Sequence, residues 1–405
     1  MQSKCVRLDR DIDPFELGAR SGLLWSRDGL VLAGVGEASR ISLERPDGGE
    51  QAQARLGELH GTDDVAQPGT GVVAFAALPF DRRSNGDLIV PNVVIGKGPQ
   101  GKRWLIATGV SCDEAIDMAQ ATLAVPPARA QATRFELESA IPPEVWRDTI
   151  VAPVRDRVRA GEFNKVVLAR ELVLRTDEPI DGAGVLRRLH QNFGTAAIFG
   201  VEGFVGASPE LLVSRTEDIV RAHPLAGTAP RSSDPAADSR LSAALVASTK
   251  DQIEHRITID WLLDNLLPYC SYVDAEPEPT IISLANVHHL GTRVEGRLSA
   301  PAASVLELVA ELHPTPALGG DPQADALGVI EAHEPGERGF YGGPVGWVDG
   351  AGNGEFAVAI RSGQITGTEA RMWAGVGVVA ESDPEAELAE TRSKFQAMLG
   401  ALVRP

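Results

Sequence analysis

The chain has 405 residues, longer than the roughly 100 to 200 of a usual domain, so one large core or two lobes both fit. Its 43% hydrophobic and 23% charged residues are those of an ordinary globular protein and exclude a fibrous or disordered class. A formal charge of -18, with no basic patch interleaved with aromatics, argues against nucleic acid or an anionic membrane as partner; any acidic ligand must be gripped by local cations, helix N-termini or a metal.

The first 22 residues lack the apolar core of a signal peptide, and no apolar run reaches the roughly 18 residues of a membrane span. Cys5, Cys112 and Cys270 are too few and too scattered for a disulfide framework, so the expected location is the cytoplasm. Residues 22–35 read as two strands around Arg27-Asp28-Gly29, with further strands at 71–80 and 88–109. A helix is predicted at 113–123, followed by an Ala/Pro-rich linker at 124–143. The boundary near residue 135 sets off a β-rich N-terminal lobe, 1–135, that contributes to one large fold with 136–405.

Residues 142–159 are predicted helical, with Val145, Trp146, Ile150, Val154 and Val158 on one face and Gly161 beyond the end. Strand signals follow at 166–174, 196–201, 211–215 and 219–224, interrupted by a helix at 185–193. The segment 250–267 is apolar nearly all round, from Ile253 to Leu266, which reads as a buried helix. Runs at 343–348, 355–360 and 372–380, separated by turn-forming clusters at 349–354 and 362–370, read as an antiparallel meander. The last helix opens at Ser382-Asp383-Pro384-Glu385, a capping-box pattern with proline in the first turn.

Asp251 and Glu254 stand three residues apart on a helix too apolar to be a solvated face, and Glu387 and Glu390 repeat the spacing on the last helix. Lys394 lies one turn beyond Glu390. If the two helices face each other, four acids converge. Hard oxygen ligands without cysteine or paired histidines suit Mg2+ and disfavour zinc. The same spacing is also common surface decoration, so it does not establish a metal site by itself.

Several segments then combine: Lys165-Val166-Val167-Leu168-Ala169-Arg170, Gly206-Ala207-Ser208-Pro209-Glu210, Pro224-Leu225-Ala226-Gly227-Thr228, Lys250-Asp251-Gln252-Ile253-Glu254-His255 and His313-Pro314-Thr315-Pro316-Ala317. With ERGFYGGPVGWVDGAGNGEFAVAIR at 337–361 and the acids of 387–394, they resemble, in order, the motifs of the chorismate-utilising enzymes. That family comprises isochorismate, salicylate, anthranilate and aminodeoxychorismate synthases. The resemblance covers residues 140–400 and is loose over the N-terminal third. It implies an α+β, aminodeoxychorismate synthase-like fold in which two packed antiparallel sheets are flanked by helices (α/β/β/α). The site would lie between the sheets, and 136–405 would be the chorismate-binding catalytic domain.

The resemblance also implies roles. Converting chorismate to isochorismate adds water at one ring carbon while the hydroxyl leaves another, which needs a base and an acid on opposite faces. By resemblance Lys165 is the base, expected in a partly desolvated pocket, and Glu210 is the acid, expected to hold its proton near neutrality. Glu254 and Glu390 are implied as direct ligands of Mg2+, with Asp251 and Glu387 acting directly or through water. Arg361, Tyr341 and Lys394 would supply donors to the substrate carboxylates, and Gly375 and Gly377 would admit backbone N–H groups, although a strand glycine also marks a bulge. His289 would be a polar contact near the ring or a structural histidine, with Gly227, Thr228, Ala317 and Leu318 completing the substrate pocket.

Within the family, ammonia-using members resemble this chain but tend to carry glutamine at Lys165, and aminodeoxychorismate synthases a lysine at Ala226; both positions here favour water. No glutaminase motif occurs, so no glutaminase subunit is expected, and a monomer is compatible with a sequence that does not fix the oligomeric state. The resemblance implies an isochorismate synthase. Its rivals are a salicylate synthase, which shares lysine, acid and metal and then eliminates pyruvate, and a non-catalytic chorismate- or metal-binding protein. Whether the product would feed menaquinone or a siderophore is not written in the chain.

Overall fold

A computed structural model describes residues 2–44, 48–59, 61–126, 132–284 and 287–403. Among these residues the strands assemble into a 13-stranded, a 9-stranded and a 3-stranded sheet. The largest runs from the edge strand Phe135–Ser139 through Lys165–Thr176, Glu369–Val378, Ser362–Thr366, Phe204–Ser208 and Ala197–Val201. It continues through Leu23–Arg27, Leu30–Val35, Val93–Lys97 and Arg103–Thr108 to Ser3–Arg7 and Gly61–Asp63, whose mutual pairing is parallel. The second sheet is antiparallel and is built around Leu211–Thr216, Gly354–Val358, Pro344–Asp349 and Val73–Ala77.

The period-2 alternation of apolar residues explains why the two sheets stack. Leu23, Trp25, Leu32, Val94, Ile106, Phe199 and Phe204 of the larger sheet pack against Phe75, Ile89, Val345, Trp347 and Ala357 of the smaller. The alternate residues face outward and are covered by helices. Ala33, Val93, Ile95 and Leu105 meet Leu17 of Pro14–Ser21 and Ala115 and Ala119 of Cys112–Ala124. Ile198, Val205, Met372 and Ala374 meet Val185 and Leu189 of Gly182–Asn192 and Phe395 and Met398 of Pro384–Val403. Outside the smaller sheet, Val213, Val220, Val348 and Phe356 pack with Val305, Leu308 and Val309 of Val305–Leu312 and with Leu262 and Leu266 of Thr249–Leu266. The stack is therefore helix, sheet, sheet, helix. Both sheets cross residue 135: Leu23–Arg27 pairs with Ala197–Val201, and Val73–Ala77 with Pro344–Asp349.

Several local expectations are corrected. Within the expected linker at 124–143, Phe135–Ser139 is a strand paired with Leu172–Thr176 register partners; residues 127–131 lie outside the described residues. The helix expected at 142–159 starts at Pro143 and widens at Arg147–Val151, where the Ala152 N–H reaches the Arg147 carbonyl; Val145, expected on the buried face, is 45% exposed. Thr249–Leu266 is not buried all round. His255, Thr258, Ile259, Leu262 and Leu266 form its inner face, while Ile253 is 52% exposed. At the last helix Asp383, not Ser382, caps the first turn by accepting from Ala386 N at 3.2 Å; Ser382 Oγ instead accepts from Val379 N. The meander does not stay in one sheet, because the expected turn at 362–370 contains the strand Ser362–Thr366 of the larger sheet. The small sheet of Leu225–Pro230, Val287–Gly291 and Thr280–Ser283 had no counterpart in the sequence reading.

Candidate active site

Glu210 and Arg361 both stand where the chain leaves one large sheet for the other. Glu210 follows Phe204–Ser208 of the larger sheet and precedes Leu211–Thr216 of the smaller; Arg361 lies between Gly354–Val358 and Ser362–Thr366, crossing in the opposite sense. The crossings are tied together: Ala207 N donates to Arg361 O at 3.1 Å, Val358 N to Glu210 O at 3.1 Å, and Ser208 Oγ to Val358 O at 2.6 Å. Pro209 cannot donate to a ladder, which suits departure from a sheet. Arg361 adopts φ 51°, the left-handed region that a side chain disfavours, a strain of the kind that gathers at functional sites.

Beside these crossings lies a cavity of about 520 Å³, counted with its open mouth. Its wall contains Glu210, Gly227, Thr228, Glu254, His289, Ala317, Leu318, Tyr341, Arg361, Gly375, Gly377, Glu390 and Lys394, thirteen of the residues singled out from sequence. Val167, Leu225, Ala226 and Ile360 complete it. Lys165 stands behind the wall, fully buried, with Nζ 2.9 Å from Glu254 Oε1. Asp251 and Glu387 also flank the wall without lining it.

Glu210 is 2% exposed, and its Oε1 has no hydrogen-bond partner among the described residues. Burial pushes its carboxyl up to about 7, against a backbone hydrogen bond from Leu225 and the nearby charges of Lys165, Arg361 and Lys394. The small sheet supplies Thr228 and His289, which stand opposite each other in its register. His289 Nε2 lies 3.0 Å from the Arg361 guanidinium, which can only donate, so Nε2 accepts and the ring proton sits on Nδ1. That Nδ1 lies 3.2 Å from Gly227 O and 3.1 Å from Thr228 Oγ1. Burial, aided by the cations Arg361 and Lys394, holds His289 well below its usual range, so the ring is neutral.

Arg361 is buried, and its Nε has no hydrogen-bond partner among the described residues. Desolvation pulls it below the usual guanidinium range while Tyr341, Glu390 and Glu210 pull the other way. A fixed guanidinium with a free N–H beside a cavity is a grip for a carboxylate. Burial raises the Tyr341 phenol, which stays protonated and takes a backbone hydrogen bond from Gly375. Lys394 Nζ donates to Gly375 O at 2.8 Å. The two strand glycines also make room for side chains: a Cβ at Gly377 would lie 2.5 Å from Glu254 Oε1 and 2.7 Å from Lys165 Cε, and one at Gly375 3.1 Å from Tyr341 Oη.

Three of the four acids are paired with lysines, one each, and Asp251 has no ion-pair partner among the described residues. Lys165 holds Glu254, Lys394 Nζ lies 2.6 Å from Glu390 Oε1, and Lys250 Nζ lies 2.9 Å from Glu387 Oε1. In this arrangement no three of the His, Cys, Asp or Glu side chains among the described residues stand close enough to hold a metal ion. The donor set nevertheless fits a hard divalent cation. Asp251 is raised by burial and by the charges of Glu254 and Glu390, and Glu387 by burial and Glu390, while the three lysine pairs leave the Asp251 carboxylate without one, so the group offers hard oxygen donors to a cation. Burial would raise Glu254 as well, but Lys165 outweighs it and the carboxyl is lowered.

Two functional groups escaped the sequence reading. Lys250 was quoted only as part of a motif, although it sits one turn before Glu254. Arg338 is buried, pairs with Glu334, and donates to Leu318 O at 2.9 Å and Val167 O at 2.8 Å, so it fixes two segments of the cavity wall. Its only signal in the sequence was its place in the quoted segment 337–361.

Residues 16–403 match the model of the chorismate binding enzyme family, and the chain belongs to that family. Isochorismate synthase DhbC of Bacillus subtilis (strain 168) is 36% identical over 337 residues, covering 80% of this chain and 79% of that protein. Isochorismate synthase MenF of the same organism is 36% identical over 334 residues, covering 80% and 71%. The crystal structure of DhbC from Bacillus anthracis is 34% identical, covers 97% of each chain and superposes with a TM-score of 0.80.

Proposed function

We propose that the protein is an isochorismate synthase, an isomerase that converts chorismate to isochorismate. The observation that carries the reading is a carboxylic acid pushed up to about 7 by burial, at the wall of a cavity also lined by acids paired with Lys165 and Lys394. Lys165, once its Nζ has left Glu254 and its ammonium has released a proton to solvent, acts as the free amine and takes a proton from water as the oxygen adds to one ring carbon. Glu210 gives its proton to the departing ring hydroxyl, which leaves as water, so the exchange balances in atoms and charge. Arg361, oriented by neutral His289, receives a substrate carboxylate together with Tyr341 and Lys394. When bound, Mg2+ supplies a positive anchor for the ring carboxylate, and Glu254 and Glu390, with Asp251 and Glu387 behind them, are the residues that would hold it.

Cys5, Cys112 and Cys270 are free thiols, which suits a reducing cytoplasm, and no helix among the described residues is long and apolar enough to cross a membrane. The test is to incubate the protein with chorismate and Mg2+ and separate the products. Isochorismate alone is expected, absent after exhaustive chelation and in Lys165→Ala. Salicylate with pyruvate would assign the rival activity, and unchanged chorismate would refute catalysis.

A further inference from the structure

We propose that Lys250 is a resident counter-cation that occupies Glu387 while no divalent ion is bound and so sets how tightly the acid site takes one. The inference rests on the metal reading above and concerns a residue outside the cavity wall. Lys250 lies in the first turn of Thr249–Leu266, beside Asp251 and one turn before Glu254; Glu387 lies in the first turn of Pro384–Val403. Their 2.9 Å pair therefore bridges the two helices that carry all four acids.

Glu387 is 2% exposed and stands near the like charge of Glu390. Without a cation, closing these helices on each other would leave buried carboxylates in mutual repulsion. Lys250 meets that need by placing its ammonium 2.9 Å from Glu387 Oε1. Lys165 and Lys394 neutralise Glu254 and Glu390 in the same way, but both also face substrate in the proposed mechanism, whereas Lys250 has no such second duty. An incoming divalent ion must compete with the Lys250 ammonium for Glu387, and the positive charge opposes its approach.

Calorimetric titration of Mg2+ into the metal-free full chain tests this without reference to turnover. Lys250→Met is expected to bind Mg2+ about tenfold or more tightly than wild type, and to melt at a lower temperature in chelator, with the loss reversed by Mg2+. Lys250→Arg keeps the charge and stays near wild type. If the effect runs through Glu387, the tightening caused by Lys250→Met is smaller in a Glu387→Gln background than in wild type. Unchanged or weaker Mg2+ affinity in Lys250→Met, or tightening that is as large with Glu387→Gln, overturns the proposal. A folded wild-type chain that takes up no Mg2+ instead defeats the metal reading, and the inference goes with it.

Discussion

Glu210→Gln keeps the shape of the protonated acid and removes its ionisation, so its effect on stability follows from the buried environment. In the folded chain burial pushes Glu210 up to about 7, whereas the unfolded chain leaves it near 4.5. A group with the higher value in the folded state binds more protons there. Its contribution to stability is complete below the unfolded value and is lost as pH rises through the folded one. Glutamine does not titrate, so the variant escapes that loss. Integrating the gap, the unfolding free energy of Glu210→Gln relative to wild type should rise by about 2.5 kcal/mol between about pH 5 and about pH 8. Urea unfolding in chelator at the two pH values measures the difference, and every group common to both proteins cancels. A relative stability independent of pH would refute the buried-acid argument. The same variant should lose hydroxyl exchange at both pH values, and near-normal rates would remove Glu210 from the chemistry.

Gly377→Ala places a methyl group against Glu254 Oε1 and Lys165 Cε, so turnover should fall about 100-fold with a stability loss of about 1–3 kcal/mol; steady-state rates and melting curves check both, and wild-type turnover would contradict the close packing. Arg338→Met strands buried Glu334 and leaves the Val167 and Leu318 carbonyls without their donor, at a cost of about 3–5 kcal/mol. Arg338→Met combined with Glu334→Leu should be less destabilised than Arg338→Met alone; if denaturation shows the losses adding, the pair is not the coupled unit described.

The layered architecture was legible through the resemblance, because Lys165, Glu210, Glu254, Arg361 and Glu390 sit in motifs whose order matches the family; the two-residue alternation of the strands is compatible with it but did not show the layers by itself. What escaped was set by long-range pairing. Phe135–Ser139 lies in an Ala/Pro-rich stretch with turn chemistry, and only its partner strand makes it β structure. The crossing at Arg361 is hidden for a similar reason: the runs on either side look alike in sequence but belong to different sheets. Helix Thr249–Leu266 misled by composition, since Ile253 is exposed while Thr258 and His255 are buried. Only the Glu390–Lys394 pair, one turn apart on one helix, was legible by spacing; the pairings of Glu254 with Lys165 and of Glu387 with Lys250 were not, because spacing on one helix says nothing of the charge facing it from another element.

Those pairings also explain how a chain of net charge -18 can receive an acidic substrate. Three of the site's cations already have carboxylate partners, so their fields are largely neutralised at close range. Arg361 is held differently, by a histidine kept neutral through burial. A carboxylate in that place would orient the guanidinium equally well but cancel its charge; a protonated histidine could not accept from it. Neutral His289 fixes the fork and leaves its charge uncompensated beside the cavity, so Arg361 is the cation with which a substrate carboxylate gains most.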